Sequence, residues 1–172
     1  MIQVGQEAPD FELEALSDGD FKKVRLSSYR GKWVVLFFWP LDFTFVCPTE
    51  VTAFSEHVED FEQLGAQVLG GSTDSVYTHL AWTREIGDIR YPMLSDIKKE
   101  VGRDYGILIE DEGIDLRGLF IIDPDGVLRY EVVHDLNIGR NVDEVLRVLK
   151  ALQTGELCPV NWEEGSETLG TA

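Results

Sequence analysis

The chain has 172 residues, 44% hydrophobic and 27% charged, enough for one domain with a sizeable core and typical of a soluble globular protein. A formal net charge of −17, from 32 acidic against 15 basic residues, excludes a binder of phosphate backbones, which needs a basic patch. No apolar stretch reaches membrane-spanning length, so neither nucleic acid nor a membrane is an expected partner. The start, Met1-Ile2-Gln3-Val4-Gly5, has no basic, apolar signal pattern, and a cytoplasmic location is expected. The acidity suits a saline habitat or an ordinary acidic cytosolic protein equally well.

In chain order, the apolar run at 33–39 reads as a buried strand. Val51, Phe54, Val58, Phe61 and Leu64 at helical spacing predict one helix over 48–64, stopped by Gly65. A strand over 66–72 follows, then a helix over 75–86 opened by the capping residues Thr73-Asp74-Ser75. Residues 96–105 predict a short helix. Strands over 118–122 and 127–133 are joined through Asp123-Pro124-Asp125-Gly126, a hairpin signal with glycine where a positive φ is easiest. A last helix over 141–152 puts Val142, Val145, Leu146, Leu149 and Leu152 on one side, and from Gly155 the chain turns polar and is expected to be loose. No repeat or linker intervenes, so the expectation is one domain over 1–160 and a C-terminal tail over 161–172. The element order predicts an α/β fold, a central mixed sheet flanked by helices on both faces.

The run Phe37-Phe38-Trp39-Pro40-Leu41-Asp42-Phe43-Thr44-Phe45-Val46-Cys47-Pro48-Thr49-Glu50 is the most informative stretch. A strand ends at Pro40, and Pro48 opens a helix with Cys47 at its N-terminus. Unpaired backbone N–H groups and the positive end of the helix dipole favour an anion there, and the thiolate is the nucleophilic form of cysteine. A buried inert thiol is the plain alternative for any single cysteine. The other thiol, Cys158, is far away in sequence, and there is no Cys-x-x-Cys. That disfavours structural zinc and a dithiol motif and fits a redox cycle better than a permanent disulfide. His57, His79 and His134 share no ligand spacing and read as surface or hydrogen-bonded structural residues. Trp33, Trp39, Trp82 and Trp162 read as core or interface aromatics.

Pro40-x-x-x-Thr44-x-x-Cys47 resembles the active-site signature of the peroxiredoxins, and Asp42 to Glu50 is similar to the typical 2-Cys subgroup, which includes the peroxidatic component of alkyl hydroperoxide reductase. The resemblance spans almost the whole chain. It takes in Tyr91-Pro92-Met93-Leu94-Ser95-Asp96, Arg117-Gly118-Leu119-Phe120-Ile121-Ile122-Asp123 and Gly155-Glu156-Leu157-Cys158-Pro159. It implies a thioredoxin-like fold with N- and C-terminal extensions, the redox thiol standing at the N-terminus of the helix after the first core strand.

It further implies a thiol peroxidase acting on hydrogen peroxide and organic hydroperoxides. Cys47 would be the peroxidatic cysteine, oxidised to a sulfenic acid, and Cys158 the resolving cysteine, closing a disulfide between two subunits of a homodimer. Thr44, Arg117 and the Cys47 backbone N–H are the expected donors to the breaking O–O bond, and Pro40 shields the thiolate from water. Glu50 would orient Arg117 and Arg140. Without the resemblance, Arg117 beside Asp111, Glu112 and Asp115 reads as a surface charge. Thr78 and Trp82 are expected at a contact between dimers, and a ring of five dimers is the assembly relatives form. The strand over 127–133 is the expected edge that pairs across the dimer. The reductant is a dithiol such as thioredoxin or a flavoprotein reductase, and no cofactor is implied: no metal, haem or flavin. The segment Thr83 to Arg90 has no Gly-Gly-Leu-Gly motif and the tail after Trp162 no Tyr or Phe, which implies an enzyme that resolves before over-oxidation. A peroxide sensor or relay and an oligomeric holdase are the alternatives, and both are compatible with peroxidase activity.

Overall fold

The computed structural model describes residues 2–172; Met1, the first residue of the domain expected over 1–160, lies outside them. The chain divides into two compact units, one ending at Arg140 and one over Asn141–Ala172.

The first unit opens with strands β1 (Glu12–Ser17) and β2 (Asp20–Arg25), a 3-10 helix (Leu26–Tyr29) and β3 (Trp33–Phe38). Helices α1 (Cys47–Glu56) and α2 (Val58–Gln63) lead to β4 (Ala66–Ser72), α3 (Val76–Ile86) and β5 (Met93–Ser95). Then come α4 (Glu100–Asp104), the two-residue strands β6 (Leu108–Ile109) and β7 (Ile114–Asp115), β8 (Arg117–Ile122) and β9 (Leu128–His134). Among the described residues the main sheet has seven strands in the order β2-β1-β5-β4-β3-β8-β9. The inner pairs β3–β4 and β4–β5 are parallel and the outer pairs antiparallel, so the sheet is mixed, as expected.

β3 is buried almost end to end because both its faces are covered. Val34, Leu36 and Phe38 point into a core with Phe11, Leu94, Tyr105 and Phe120. On the opposite face Phe37 stacks on Phe54 of α1 at 4.2 Å and meets Trp39 and Tyr91. Fully burying side chains of this size stabilises by roughly 1.5–3 kcal/mol each. Gly70 of β4 makes the aromatic layer possible: a Cβ there would lie 2.8 Å from the Phe37 ring and 2.9 Å from Trp39. The Phe37–Phe54 stack thus packs α1, the helix that begins at Cys47, against this face of β3.

The helix predicted over 48–64 is two helices, broken at His57. Arg90 supplies the reason. Its guanidinium takes the last carbonyls of α1, donating to Ser55 O at 3.2 and 3.0 Å and to Glu56 O at 3.5 Å, and its backbone N–H donates to Ser55 Oγ at 2.9 Å. Those carbonyls are satisfied from outside, so the chain ends one helix and starts another. The helix predicted from 96 begins only at Glu100, because Asp96 turns its carboxylate onto the N–H groups of Val101 and Gly102 and Lys99 adopts φ 62°. The α3 cap and the β8–β9 hairpin form as expected, with Ser75 Oγ accepting from Thr78 N and Asp123 Oδ1 from Asp125 N and Val127 N.

The second unit is α5 (Val142–Thr154), N-capped by Asn141 and ended by Gly155 at φ 65°, and the segment after it. That segment is not loose. Leu157 N donates to Gly170 O at 2.9 Å, Leu169 N to Leu157 O at 2.8 Å, and Trp162 is buried with its indole N–H on Ser166 O. Arg147 donates to Trp162 O at 2.6 Å and Lys150 pairs with Glu164 at 2.6 Å. A polar composition concealed a segment tied back on itself through its backbone.

Candidate functional site

Cys47 is the first residue of α1, with Pro48 behind it, and is 1% exposed. Its own N–H is among the first-turn groups that intrahelical bonds leave unused. Arg117, at the start of β8, is buried and not a surface charge; its Nη1 lies 3.3 Å from Cys47 Sγ and 2.6 Å from Glu50 Oε1, and its Nε donates to Leu136 O at 2.8 Å. Glu50 stands one turn along α1 from Cys47. Arg140 closes the cluster from beyond β9. It donates to Glu50 from its backbone N at 2.7 Å, from Nε at 2.6 Å and from Nη2 at 2.9 Å, and to Gly118 O at 2.7 Å. Its guanidinium also lies 5.2 Å from the centre of the Phe37 ring. Burial alone would raise the Glu50 carboxyl, but the Arg140 bonds and charge, with the charge of Arg117, outweigh it and hold the group below its ordinary value. Glu50 is therefore a fixed anion that aims two guanidinium groups, one of them at the sulfur.

The loop from Pro40 to Val46 carries the rest. Pro40 is buried. Thr44 was expected to donate to the substrate, but its hydroxyl proton goes to Leu41 O at 2.9 Å, since a carbonyl can only accept. Its lone pairs remain able to accept a hydrogen bond. Phe43 takes a left-handed backbone, φ 58°, and its half-exposed ring stands 6.3 Å from Trp82.

Sequence reasoning passed over the group that moors this loop. Asp42 is buried; its Oδ1 accepts from Trp39 Nε1 at 2.7 Å and Ser72 Oγ at 3.3 Å, and its Oδ2 lies 2.5 Å from His79 Nδ1. His79 Nε2 lies 2.9 Å from Leu94 O, and Asp42 N donates to Asp74 Oδ2 at 2.8 Å. His79 is thus one of the hydrogen-bonded structural histidines, and the only local signal for it was an Asp inside the Pro40-to-Cys47 run. Of the two residues expected at an interface, Thr78 is half-buried beside Ser75, and Trp82 is 1% exposed, packed on Trp39 and behind Phe43.

Cys158 belongs to the second unit. It is half-buried just past α5, with Sγ 3.6 Å from Ala151 O and 3.5 Å from Thr154 Oγ1, and both cysteines are free thiols. Among the described residues no group of three or more His, Cys, Asp or Glu could hold a metal ion, and no helix is long and apolar enough to cross a membrane.

A family model described as the AhpC/TSA family matches residues 4–131. The chain is similar to Peroxiredoxin-2 of Mus musculus, 54% identical over 97% of this chain and 89% of the mouse protein. It is similar to Thioredoxin peroxidase of Echinococcus granulosus, 55% identical over 96% of this chain and 91% of that one. Among solved structures, the reduced 2-Cys peroxiredoxin of Plasmodium vivax covers 97% of this chain and 92% of its own, at 42% identity and a TM-score of 0.94.

Proposed function

Because the chain belongs to the AhpC/TSA family and is a 2-Cys peroxiredoxin, a thiol peroxidase, we propose that Cys47 attacks the peroxide and Cys158 resolves the product. The observation that carries the reading is the guanidinium of Arg117 at 3.3 Å from Cys47 Sγ, itself aimed by Glu50. The thiolate is the nucleophilic form of cysteine, and the Arg117 guanidinium stands where it can pair with that charge. The thiolate attacks one peroxide oxygen, the O–O bond breaks, and sulfur becomes a sulfenic acid while the other oxygen leaves as alkoxide and takes a proton. Arg117 and the Cys47 N–H stabilise the charge that develops on the oxygens. Thr44 accepts the peroxide's O–H, and Pro40 keeps bulk water from the sulfur. Arg140 acts through Glu50 and is a positioning residue.

In the second half, the Cys158 thiol of a second copy displaces hydroxide from the sulfenic acid, which leaves as water, and a disulfide joins the subunits. A dithiol then restores both cysteines; the name of the Echinococcus relative favours thioredoxin, and a flavoprotein reductase is the other candidate. The working unit is a homodimer paired along β9, an outer strand of the sheet. Thr78 and Trp82 are assigned to a contact between dimers in a ring of five, Trp82 acting through Phe43. The cytoplasm, a reducing compartment, sustains such a cycle.

The test is peroxide addition to the reduced protein followed by a non-reducing gel, with wild type, Cys47→Ser and Cys158→Ser side by side. A covalent dimer in wild type and in neither variant is expected. If wild type runs as a monomer while Cys47 still oxidises, the intersubunit role of Cys158 is wrong.

A further inference from the structure

Among the described residues, the buried side-chain nitrogen and oxygen atoms without a hydrogen-bond partner are the two carboxyl oxygens of Asp115. The residue is fully buried at the end of β7, and nothing in the peroxidase chemistry uses it. Unpartnered buried carboxylates are costly enough that each one asks for an explanation. The space around this one is shaped to its outline. Gly102 of α4 lies directly beneath it, and a Cβ on Gly102 would stand 2.9 Å from Asp115 Cγ and collide with Oδ1.

A short path joins this pocket to the site. Gly102 O accepts from Ile107 N at 2.9 Å, and Ile107 O accepts from Leu116 N at 2.8 Å. Leu116 is the single residue between Asp115 and Arg117. The Ile107 side chain also covers Gly118, where a Cβ would come within 2.8 Å of it, and Gly118 O is the acceptor of Arg140 Nη1. Both cations that Glu50 holds therefore rest on backbone that borders the Asp115 pocket.

We propose that Asp115 is a positioning residue, neutral when the site is assembled, whose ionisation loosens the β6–β7 hairpin and with it the hold of Arg117 and Arg140 on Cys47 and Glu50. The proton leaves to solvent as the hairpin opens, and the carboxylate gains water.

The surrounding charges favour the neutral form. Burial, then the charge of Asp96, push the Asp115 carboxyl up to about 7, and Lys99 opposes them. Asp96 is itself buried and bonded to the Val101 and Gly102 amides, while the Lys99 ammonium lies over Gly113. On α4, Arg103 is committed to Glu110 at 2.7 and 3.1 Å, and Glu100 and Asp104 are exposed. β6 brings Leu108 and Ile109, which carry no charge, and Arg117 on β8 is turned to Cys47 and Glu50.

Two readouts test the idea. Amide hydrogen exchange at Ile107 and Leu116, corrected for intrinsic rates, should lose protection about tenfold per pH unit between pH 5 and 7 in wild type and level off above. Asp115→Asn, which fills the same space and cannot ionise, should show no such slope. The rate of Cys47 oxidation by hydrogen peroxide, as the ratio of wild type to Asp115→Asn, should fall at least about twofold from pH 6 to 8. Protection that does not change with pH in wild type overturns the proposal, whether or not the chain reduces peroxide. A protection slope with a flat rate ratio overturns the link to Arg117. The rate readout rests on the peroxidase reading: a hairpin that responds while Cys47 ignores peroxide would count against that reading instead. Should Asp115→Asn fail to fold, Asp115→Ala serves both comparisons.

Discussion

Glu50 and Asp115 are both buried carboxylates, 3% and 0% exposed, and they meet opposite fates. Glu50 receives four hydrogen bonds from Arg117 and Arg140 and stays an anion, held below its ordinary value although burial works against it. Asp115 receives none among the described residues and is pushed up to about 7. Burial does not by itself decide whether a carboxyl is charged; the donors brought to it do. The protein spends two arginines on the carboxylate that serves the sulfur and none on the other.

The comparison breaks first at Glu50. Glu50→Gln leaves two buried guanidinium groups without a counter-charge. It should cost about 3–5 kcal/mol in denaturant unfolding and slow Cys47 oxidation on the order of a hundredfold in stopped-flow measurements. A variant as stable as its parent would mean that the cluster is not held as the distances indicate.

The second test turns on sign. The folded-state value of Asp115 lies above the unfolded one, so its contribution is complete below about pH 3.8 and is lost as the pH rises to about 7. Asp115→Asn should therefore gain on its parent by roughly 4 kcal/mol between pH 4 and pH 8, at 1.36 kcal/mol per pKa unit. Glu50 tilts the curve the other way: its value is lowered, so its contribution holds above the ordinary carboxylate range and is lost as the pH falls. Parallel stability profiles for wild type and Asp115→Asn would remove the contrast.

The smallest expected effect is at Gly102. Gly102→Ala should cost about 1–3 kcal/mol by crowding the carboxyl, and the cost should shrink in an Asp115→Ala background. Equal thermal shifts in both backgrounds would show that the glycine is there for another reason.

Much of this was legible along the chain, though not always noticed. The Asp18-Gly19 pair turns β1 into β2 with both residues at positive φ, a strong hairpin signal that the reading of the sequence passed over. β5, β6 and β7 have two or three residues each, too few for any period to register. The break at His57 had no local cause, since it depends on an arginine more than thirty residues later. The resemblance named Cys47, Thr44, Pro40, Arg117, Glu50 and Arg140. It did not reveal that the Thr44 proton is already committed, or that Asp42 moors the loop through His79.

The sequence by itself determined what acts over a few residues. It set the strand that stops at Pro40, the cysteine at the start of a helix, the Ser75 and Asn141 caps and the Asp123-to-Gly126 turn, because their bonds close within one turn of chain. Only the tertiary structure decided which buried groups have partners. Glu50 meets Arg117 and Arg140 across 67 and 90 residues, and Asp115 has no hydrogen-bond partner among the described residues. Desolvation and pairing depend on what the fold packs alongside a group, and neighbours in space are not written as neighbours in sequence.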